Sequence, residues 1–518
     1  MAELIHDIVG AAVQRFRDAP AIIDDAGTAT YHELWDRSRR IASGLRGLGV
    51  RPGDGVVAVM ANRREWSEVE LAASMTGAVR SRLNARDGER EWAAVLTDLA
   101  PRAIVAGPEF APVIAGLMKD GSAPSAELIT LGPGERYEEL VAASEPIGPI
   151  ELSPEAPAVV FHTSGTTGVY KGVLYLQRNV MAMYRNILAT IAADMDSDSV
   201  ILHVGPLSHQ SGLLVIPGLF RGARSLLHSG FDVEAFLDAV ENDKVTHALV
   251  PPAIINTLVN VPNIRDRDLS SLRTVLYSGS PISAVVLRKA IDIFGPIFLQ
   301  GYGSTEGGAM YNTIMYPDEH VRALAENPAL LASAGRPALY FDIKVADDDL
   351  VEVPLGDMGE ICVRGDAVSV GYWNNPEATA KSYVDGWFRT GDFATRSEDD
   401  FITVVDRKHD MIVSGGLNVY PREVEDVISG HPAVNEVAVV GVPHENWGEC
   451  VKACVSLHDG AELALEELQQ FCKDAGLASY KKPLSLDIVA EIPKTAVGKL
   501  YRRALREPYW AGRERRVG

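Results

Sequence analysis

From Val159 to Gly172 the chain reads VVFHTSGTTGVYKG. An apolar run, Ala158 to Phe161, reads as a short buried strand. It stops at His162 and gives way to Thr163, Ser164, Gly165, Thr166, Thr167 and Gly168, with Lys171 close behind. Small hydroxyl and glycine residues let backbone N–H groups approach an anion, and the hydroxyls add donors. Lys171 adds a cation. A loop around a polyphosphate requires these features. It is not a Walker A loop, because no Gly-Lys-Ser/Thr follows a first glycine at the required distance. A plain Ser/Thr/Gly surface loop would read the same in isolation, so the rest of the chain must decide.

The strand-then-turn pattern recurs downstream in SVILHVGPLSHQSG, VTHALVPPAII, LRTVLYSGSPIS and IFLQGYGSTEGG. In open α/β sheets ligands sit beyond the carboxyl ends of the strands, where such turns converge. Upstream, residues 1 to about 150 alternate strand-like and helical segments. Tyr31 to Gly47 places Leu34, Ile41 and Leu45 on one helical side, and Asp54 to Ala61 reads as a strand. This alternation predicts a largely parallel sheet covered by helices. Gly132 to Pro149, richer in Gly, Pro and Glu, reads as a connector. From about 335 the texture becomes strand alternation, a small antiparallel or barrel-like unit. From 409 a compact α+β module follows, with helices at Arg422 to Ser429 and Ala464 to Ala475, and a strand at Glu436 to Gly441.

The chain has 518 residues, too many for one ordinary domain. Its net charge of -21 argues against general nucleic-acid binding. The four cysteines form no CxxC pair and suggest neither a zinc site nor a disulfide framework, which fits a reducing, cytoplasmic location. The N-terminus lacks the layout of a signal peptide, and no apolar run is long enough to span a membrane.

Six motifs in order carry a resemblance: TSGTTGVYKG (163–172), GYGSTEGG (301–308), GEICVRGDAVSVGYWNNPEAT (359–379), GWFRTGD (386–392), DRKHDMIVSGGLNVYPREVE (406–425) and PKTAVGK (493–499). The chain resembles the adenylate-forming superfamily of acyl/aryl-CoA synthetases, nonribosomal-peptide adenylation domains and luciferases, most of all the acyl-CoA synthetases, across residues 20 to 505. The resemblance implies a large N-terminal domain (1–408) of α/β subdomains plus a small β-barrel-like subdomain. A small, mobile α+β C-terminal domain (409–518) follows. It also implies attack of a carboxylate on the α-phosphate of ATP, with Mg²⁺, to give an acyl-adenylate and pyrophosphate. Transfer of the acyl group to the thiol of CoA follows.

Charge builds on the phosphate during that attack, so cations and donors must be aimed there. The resemblance assigns Glu306 to Mg²⁺, Thr305 to the α-phosphate and Lys499 to both the attacking carboxylate and the phosphate. Tyr302 offers a flat face to the adenine with Gly279 and Ser280 beside it, and Gly303 and Ser304 belong to the same ATP/AMP site. Asp392 and Arg407 hold the ribose. His209, Gln210 and Gly301 border the acyl pocket, Gly415 and Gly416 line the CoA channel, and His409 occupies the hinge. The basic tail (Arg502, Arg503, Arg506) reads as a solvated face, with contact to a CoA phosphate as the other reading.

Three departures carry information. The family's loop usually reads Gly-x-Pro-Lys-Gly; here Tyr170 replaces the proline, which loosens φ at one position. His409 stands where Asp or Lys is common. Gln210 stands where amino-acid-activating members place an Asp for the substrate ammonium, which favours a plain carboxylic acid, since an unpaired buried ammonium is costly. Three other activities stay open: loading of a carrier-protein phosphopantetheine, non-catalytic acid or nucleotide binding, and luciferase-like oxidation. A homodimer is the family-level expectation.

Overall fold

The computed structural model describes residues 4–163, 170–279, 282–407, 410–414, 417–444, 447–494 and 500–511. The chain divides into two compact units, Met1–Ile343 with Val363–Thr390, and Lys344–Cys362 with Gly391–Gly518.

The first unit is α/β and holds two large sheets. In the nine-stranded sheet a parallel run passes from Phe298–Tyr302 through Thr274–Ser278, His247–Val250, Val200–His203 and Arg224–Leu227 to Pro20–Asp24. Short antiparallel strands close both edges. The seven-stranded sheet runs parallel from Pro157–Thr163 through Val79–Arg82, Gly55–Val59 and Ala103–Ala106 to Glu127–Thr130. Lys171–Leu176 then turns back antiparallel on Pro157–Thr163. Strands Gly55–Val59, Ala103–Ala106 and Val200–His203 are buried along their whole length, as parallel strands covered by helices must be, whereas Val79–Arg82 carries the buried polar residues Arg80 and Ser81.

The helix Tyr31–Gly47 forms as its spacing predicts. It starts at a capping box in which Thr30 and Glu33 satisfy each other's backbone, and it buries Leu34, Ile41 and Leu45. The expected connector Gly132 to Pro149 is not structureless. It holds the helix Arg136–Ala143, which buries Tyr137 and Val141. The Tyr137 hydroxyl donates to Glu68 at 2.7 Å, and Arg37 donates to Glu68 at 2.7 Å and to Glu138 at 2.6 Å. Burial raises the Glu68 carboxyl, so its two donors matter. Tyr137→Phe strands one oxygen of this buried carboxylate. We expect a loss of about 1–3 kcal/mol in urea unfolding, with activity unchanged at saturating substrate.

In the second unit, strand Ile402–Arg407 pairs antiparallel with residues 392–396. The α+β module follows. A long hairpin, Val434–His444 with Gly448–Leu457, carries Ile412–Ser414 and Ser485–Ile488 on its second strand. Helices Pro421–Ile428 and Leu465–Asp474 bury Val424, Ile428, Leu468 and Cys472 into one core with Val439, Val451, Ala453 and Val455 on the hairpin. The expected helices and strand are all present, and the strand is longer than its apolar run suggests.

The basic tail differs from expectation. Helix Arg502–Trp510 turns its arginines onto acids: Arg502 binds Glu425 at 2.5 Å and Asp410 at 3.3 Å, and Arg506 binds Asp410 at 3.4 Å. These two guanidiniums are mostly covered, so they form neither a solvated face nor an open phosphate site. Arg503 pairs with Glu507 along the helix. All four cysteines are buried thiols. Among the described residues no helix is long and apolar enough to cross a membrane.

Candidate active site

The expected turns do follow parallel strands of one sheet. PLSHQSG follows Val200–His203, Gly279 follows Thr274–Ser278, and the 303–308 turn follows Phe298–Tyr302. All three leave the carboxyl ends of their strands. Gly279 takes φ +86°, a left-handed conformation that glycine adopts without strain.

The 303–308 turn is held from several sides. The Asn312 N–H donates to the Tyr302 carbonyl at 2.7 Å, and its Nδ2 donates to the Gly307 carbonyl at 2.6 Å. The Gly307 N–H donates to Ser304 Oγ at 3.0 Å. The Tyr175 hydroxyl donates to the Thr305 carbonyl, and Ser369 donates to the Glu306 carbonyl from both its N–H and its Oγ. Gly303 has no room for a side chain: a Cβ would lie 2.0 Å from the Met310 carbonyl oxygen.

The Glu306 carboxylate accepts from the Tyr372 hydroxyl at 3.2 Å, and Lys171 Nζ lies 5.2 Å from the centre of the Tyr372 ring. One tyrosine therefore gathers the candidate metal carboxylate and the candidate phosphate cation. Burial first, and then the Glu306 charge, hold the Tyr372 hydroxyl in its neutral form. Tyr372 reaches this place because Gly371–Tyr372 pairs with Leu174 and Val173, just beyond Lys171.

On the acyl side, His209 and Gln210 are half-buried at the start of a short 3₁₀ turn. Ser278 Oγ donates to Gln210 Oε1 at 2.8 Å and lies 3.2 Å from the Tyr311 hydroxyl. Burial pushes that hydroxyl up to about 12, so it stays protonated at neutral pH. The Tyr311 ring occupies the space a Cβ of Gly301 would need, 2.2 Å away. Asn62 ties the His209 turn down, donating to the Gly205 carbonyl at 2.8 Å and accepting from the Leu207 N–H at 2.8 Å.

In the second unit, Asp392 pairs with Arg407 across neighbouring strands, and the preceding Gly391 N–H donates to Glu360 at 2.9 Å. Ser164, Gly165, Thr166, Thr167, Gly168, Ser280, His409, Gly415, Gly416 and Lys499 lie outside the described residues. Their flanks are described. Thr163 pairs with Lys171, Ser414 with Leu417, and Lys494 with Leu500.

Residues 9–373 match the AMP-binding enzyme family, and residues 423–499 match the AMP-binding enzyme C-terminal domain. The chain belongs to the AMP-binding enzymes. Its relatives in that family include a feruloyl-CoA synthase of Amycolatopsis sp, 37% identical over 96% of this chain and 98% of that protein. A medium/long-chain-fatty-acid–CoA ligase, FadD8 of Mycobacterium tuberculosis, is 33% identical over 99% of this chain and 91% of that protein. Among solved structures, ATP-bound MatB from Rhodopseudomonas palustris superposes with a TM-score of 0.87 at 28% identity, covering 98% of this chain and 99% of that one.

For an AMP-binding enzyme the donor set at Glu306 is suited to Mg²⁺. One carboxylate, with a lysine over the same tyrosine, leaves the remaining positions to phosphate oxygens and water, as Mg²⁺ prefers. Among the described residues no group of three His, Cys, Asp or Glu side chains offers a protein-only cage. Sequence reasoning missed Tyr372, Asn312, Ser369 and Tyr311. Tyr372 lay in plain view within GYWNN, but its role depends on a strand pairing some 200 residues back along the chain. Tyr372→Phe removes one hydrogen bond to Glu306. We expect the KM for Mg-ATP to rise about fivefold to tenfold in a pyrophosphate-release assay, with thermal stability little changed.

Proposed function

We infer that this chain is an AMP-forming acid–thiol ligase of the acyl-CoA synthetase type. It activates a carboxylic acid with ATP as the acyl-adenylate, releases pyrophosphate and passes the acyl group to CoA. The observation that carries this reading is the gathering of Lys171 and Glu306 on Tyr372, at the start of the strand that leaves the phosphate-type loop. Mg²⁺ bound at Glu306 would screen the phosphate charge as the carboxylate attacks. Lys171 adds a fixed cation, and Thr305 adds a donor.

Lys499, in the C-terminal domain, supplies the ammonium for the attack, with His409 as the pivot and the domain boundary at 408/409. Gly415 and Gly416 leave room for the pantetheine arm of CoA. Asp392 and Arg407 hold the ribose. The acceptor is CoA rather than a carrier protein. The enzyme acts in the cytoplasm as a homodimer.

The acid is aryl or medium-chain. The feruloyl-CoA synthase relative supports the first, and the FadD8 relative supports the second. The neutral Gln210 at the acyl turn supports an uncharged acyl group in either case. The test is a panel of ferulate, cinnamate, benzoate, octanoate and phenylalanine with ATP, Mg²⁺ and CoA, read by mass spectrometry of the thioester. Ferulate or octanoate should yield acyl-CoA, and phenylalanine should not. Thioester with phenylalanine alone would overturn the assignment.

A further inference from the structure

The turn that carries His209 and Gln210 is gripped from the other large sheet. Strands Gly55–Val59 and Val79–Arg82 are parallel neighbours in the seven-stranded sheet. Asn62, just beyond the first, and Arg82, at the end of the second, both reach Leu207. The Leu207 N–H donates to Asn62 Oδ1 at 2.8 Å, and the Leu207 carbonyl accepts from Arg82 Nη1 at 3.1 Å. The turn is tightly wound here. The His209 N–H donates to the Pro206 carbonyl at 3.0 Å, and the Gly212 N–H donates to the His209 carbonyl at 3.1 Å. A Cβ on Gly212 would lie 2.1 Å from the Leu207 carbonyl oxygen and 3.3 Å from Arg82 Nη1, so glycine leaves that carbonyl open to the guanidinium.

The Arg82 side chain is only 8% exposed, so its charge needs a partner. Its Nη2 donates at 3.1 Å to Oε2 of Glu70, on helix Glu65–Thr76. Glu70 does not need Arg82 for charge balance. Arg80 Nη2 lies 3.2 Å from Glu70 Oε1, and the Tyr184 hydroxyl donates to the same oxygen at 2.9 Å. Burial raises the Glu70 carboxyl, but the charges of Arg80 and Arg82 outweigh it, and the carboxylate is ionised at neutral pH. Two guanidiniums thus stand against one carboxylate. Arg80 supplies charge without aim, since its Nε and Nη2 are buried with no hydrogen-bond partner among the described residues. Arg82 supplies aim: its planar fork fixes one nitrogen on Glu70 and points the other at Leu207. The guanidinium carbon lies 5.4 Å from the centre of the Phe161 ring. A second buried cation costs desolvation that a shared carboxylate does not repay, so stability alone does not account for Arg82.

We propose that Arg82 is a positioning residue for the acid: clamped by Glu70, it holds the Leu207 carbonyl and so sets where His209 and Gln210 stand. The proposal rests on the reading of the 206–212 turn as the border of the acyl pocket. It assigns no contact with substrate to Arg82 or Glu70.

The test is acid-dependent pyrophosphate release by Arg82→Met, Arg82→Lys and Gln210→Ala, with melting temperatures taken on the same preparations. Arg82→Met leaves Glu70 paired with Arg80 and Tyr184, and Arg82→Lys keeps the charge. One ammonium does not hold both partners of the fork, so both variants should raise the KM for the acid about tenfold, as for one hydrogen bond from a charged group. The KM for ATP should not change, because strand Pro157–Thr163, which carries Phe161, is placed by its own pairing. A merely structural loss would lower the folded fraction and kcat and leave both KM values alone. Should Arg82→Met fail to fold, Arg82→Lys decides. Gln210→Ala tests the turn itself and should raise the KM for the acid. If it does so while a folded Arg82 variant keeps the wild-type KM for the acid, or shifts both KM values equally, the role of Arg82 is overturned and the reading of the turn stands. If neither Gln210→Ala nor the Arg82 variants move that KM, the reading of the turn falls, and the proposal with it.

Discussion

Lys499→Ala should lower acid-dependent pyrophosphate release by about 10²–10³-fold in kcat, the usual cost of losing one group aimed at transition-state charge. The reason is electrostatic. Carboxylate and α-phosphate are both anionic and must meet, and an ammonium that reaches both offsets their repulsion as the new bond forms. In the proposed mechanism Lys171 and Mg²⁺ act on phosphate charge but not on the attacking carboxylate. Lys499→Arg should rescue poorly, because a planar guanidinium does not replace a compact ammonium at a shared point. The loss should fall on the first half-reaction. Chemically prepared acyl-adenylate given to the variant with CoA should still yield thioester. A variant that releases pyrophosphate at the wild-type rate would remove Lys499 from the chemistry.

Gly303→Ala should be nearly as damaging by a different route. Its Cβ would lie 2.0 Å from the Met310 carbonyl oxygen. No rotamer relieves a clash between a Cβ and a backbone atom, so the 303–308 turn must move. The Asn312 bonds to Tyr302 and Gly307 resist that movement, and the Asn312 nitrogen itself would lie 3.2 Å from the new Cβ. Overpacking of this kind costs about 1–3 kcal/mol in stability. The larger effect is on rate, because Thr305 and Glu306 ride on the displaced turn. A shift of about 1 Å costs about 10² in turnover. Thermal unfolding and pyrophosphate release measured on the same preparation separate the two losses. Full activity in a folded Gly303→Ala variant would show that the turn does not position the reacting groups.

Much of the fold was legible because local signals agreed. The helix Tyr31–Gly47 has its capping box and its apolar stripe in register, and the parallel strands read as apolar runs closed by small residues. The helix Arg136–Ala143 was not legible. It has only two buried side chains, and its stability depends on Glu68 and Arg37 from distant helices. The arginines of the tail misled for a similar reason. Their partners Asp410 and Glu425 lie nearly a hundred residues away or more than seventy, and sequence shows charge without showing what covers it.

The candidate site divides the same way. Glu306, Lys171 and Gln210 stand in motifs whose order identifies them. Tyr372 holds Glu306 and Lys171, Asn312 holds the 303–308 turn and Ser278 bonds Gln210, all through contacts that only the folded sheet creates. Tyr170 is the sharpest case. Read alone it is a missing proline, and in the fold its ring packs on the cluster that holds Trp92, Val95 and Leu96.

The central claim is that the acid's own oxygen attacks the α-phosphate of ATP. The direct measurement uses an acid labelled with ¹⁸O in its carboxylate, turned over with ATP, Mg²⁺ and CoA, with the nucleotide product analysed by mass spectrometry. The predicted result is AMP that carries one ¹⁸O for each acyl-CoA formed, because the bridging oxygen of the acyl-adenylate leaves with the phosphate. Unlabelled AMP, or ADP with the label in inorganic phosphate, would contradict it.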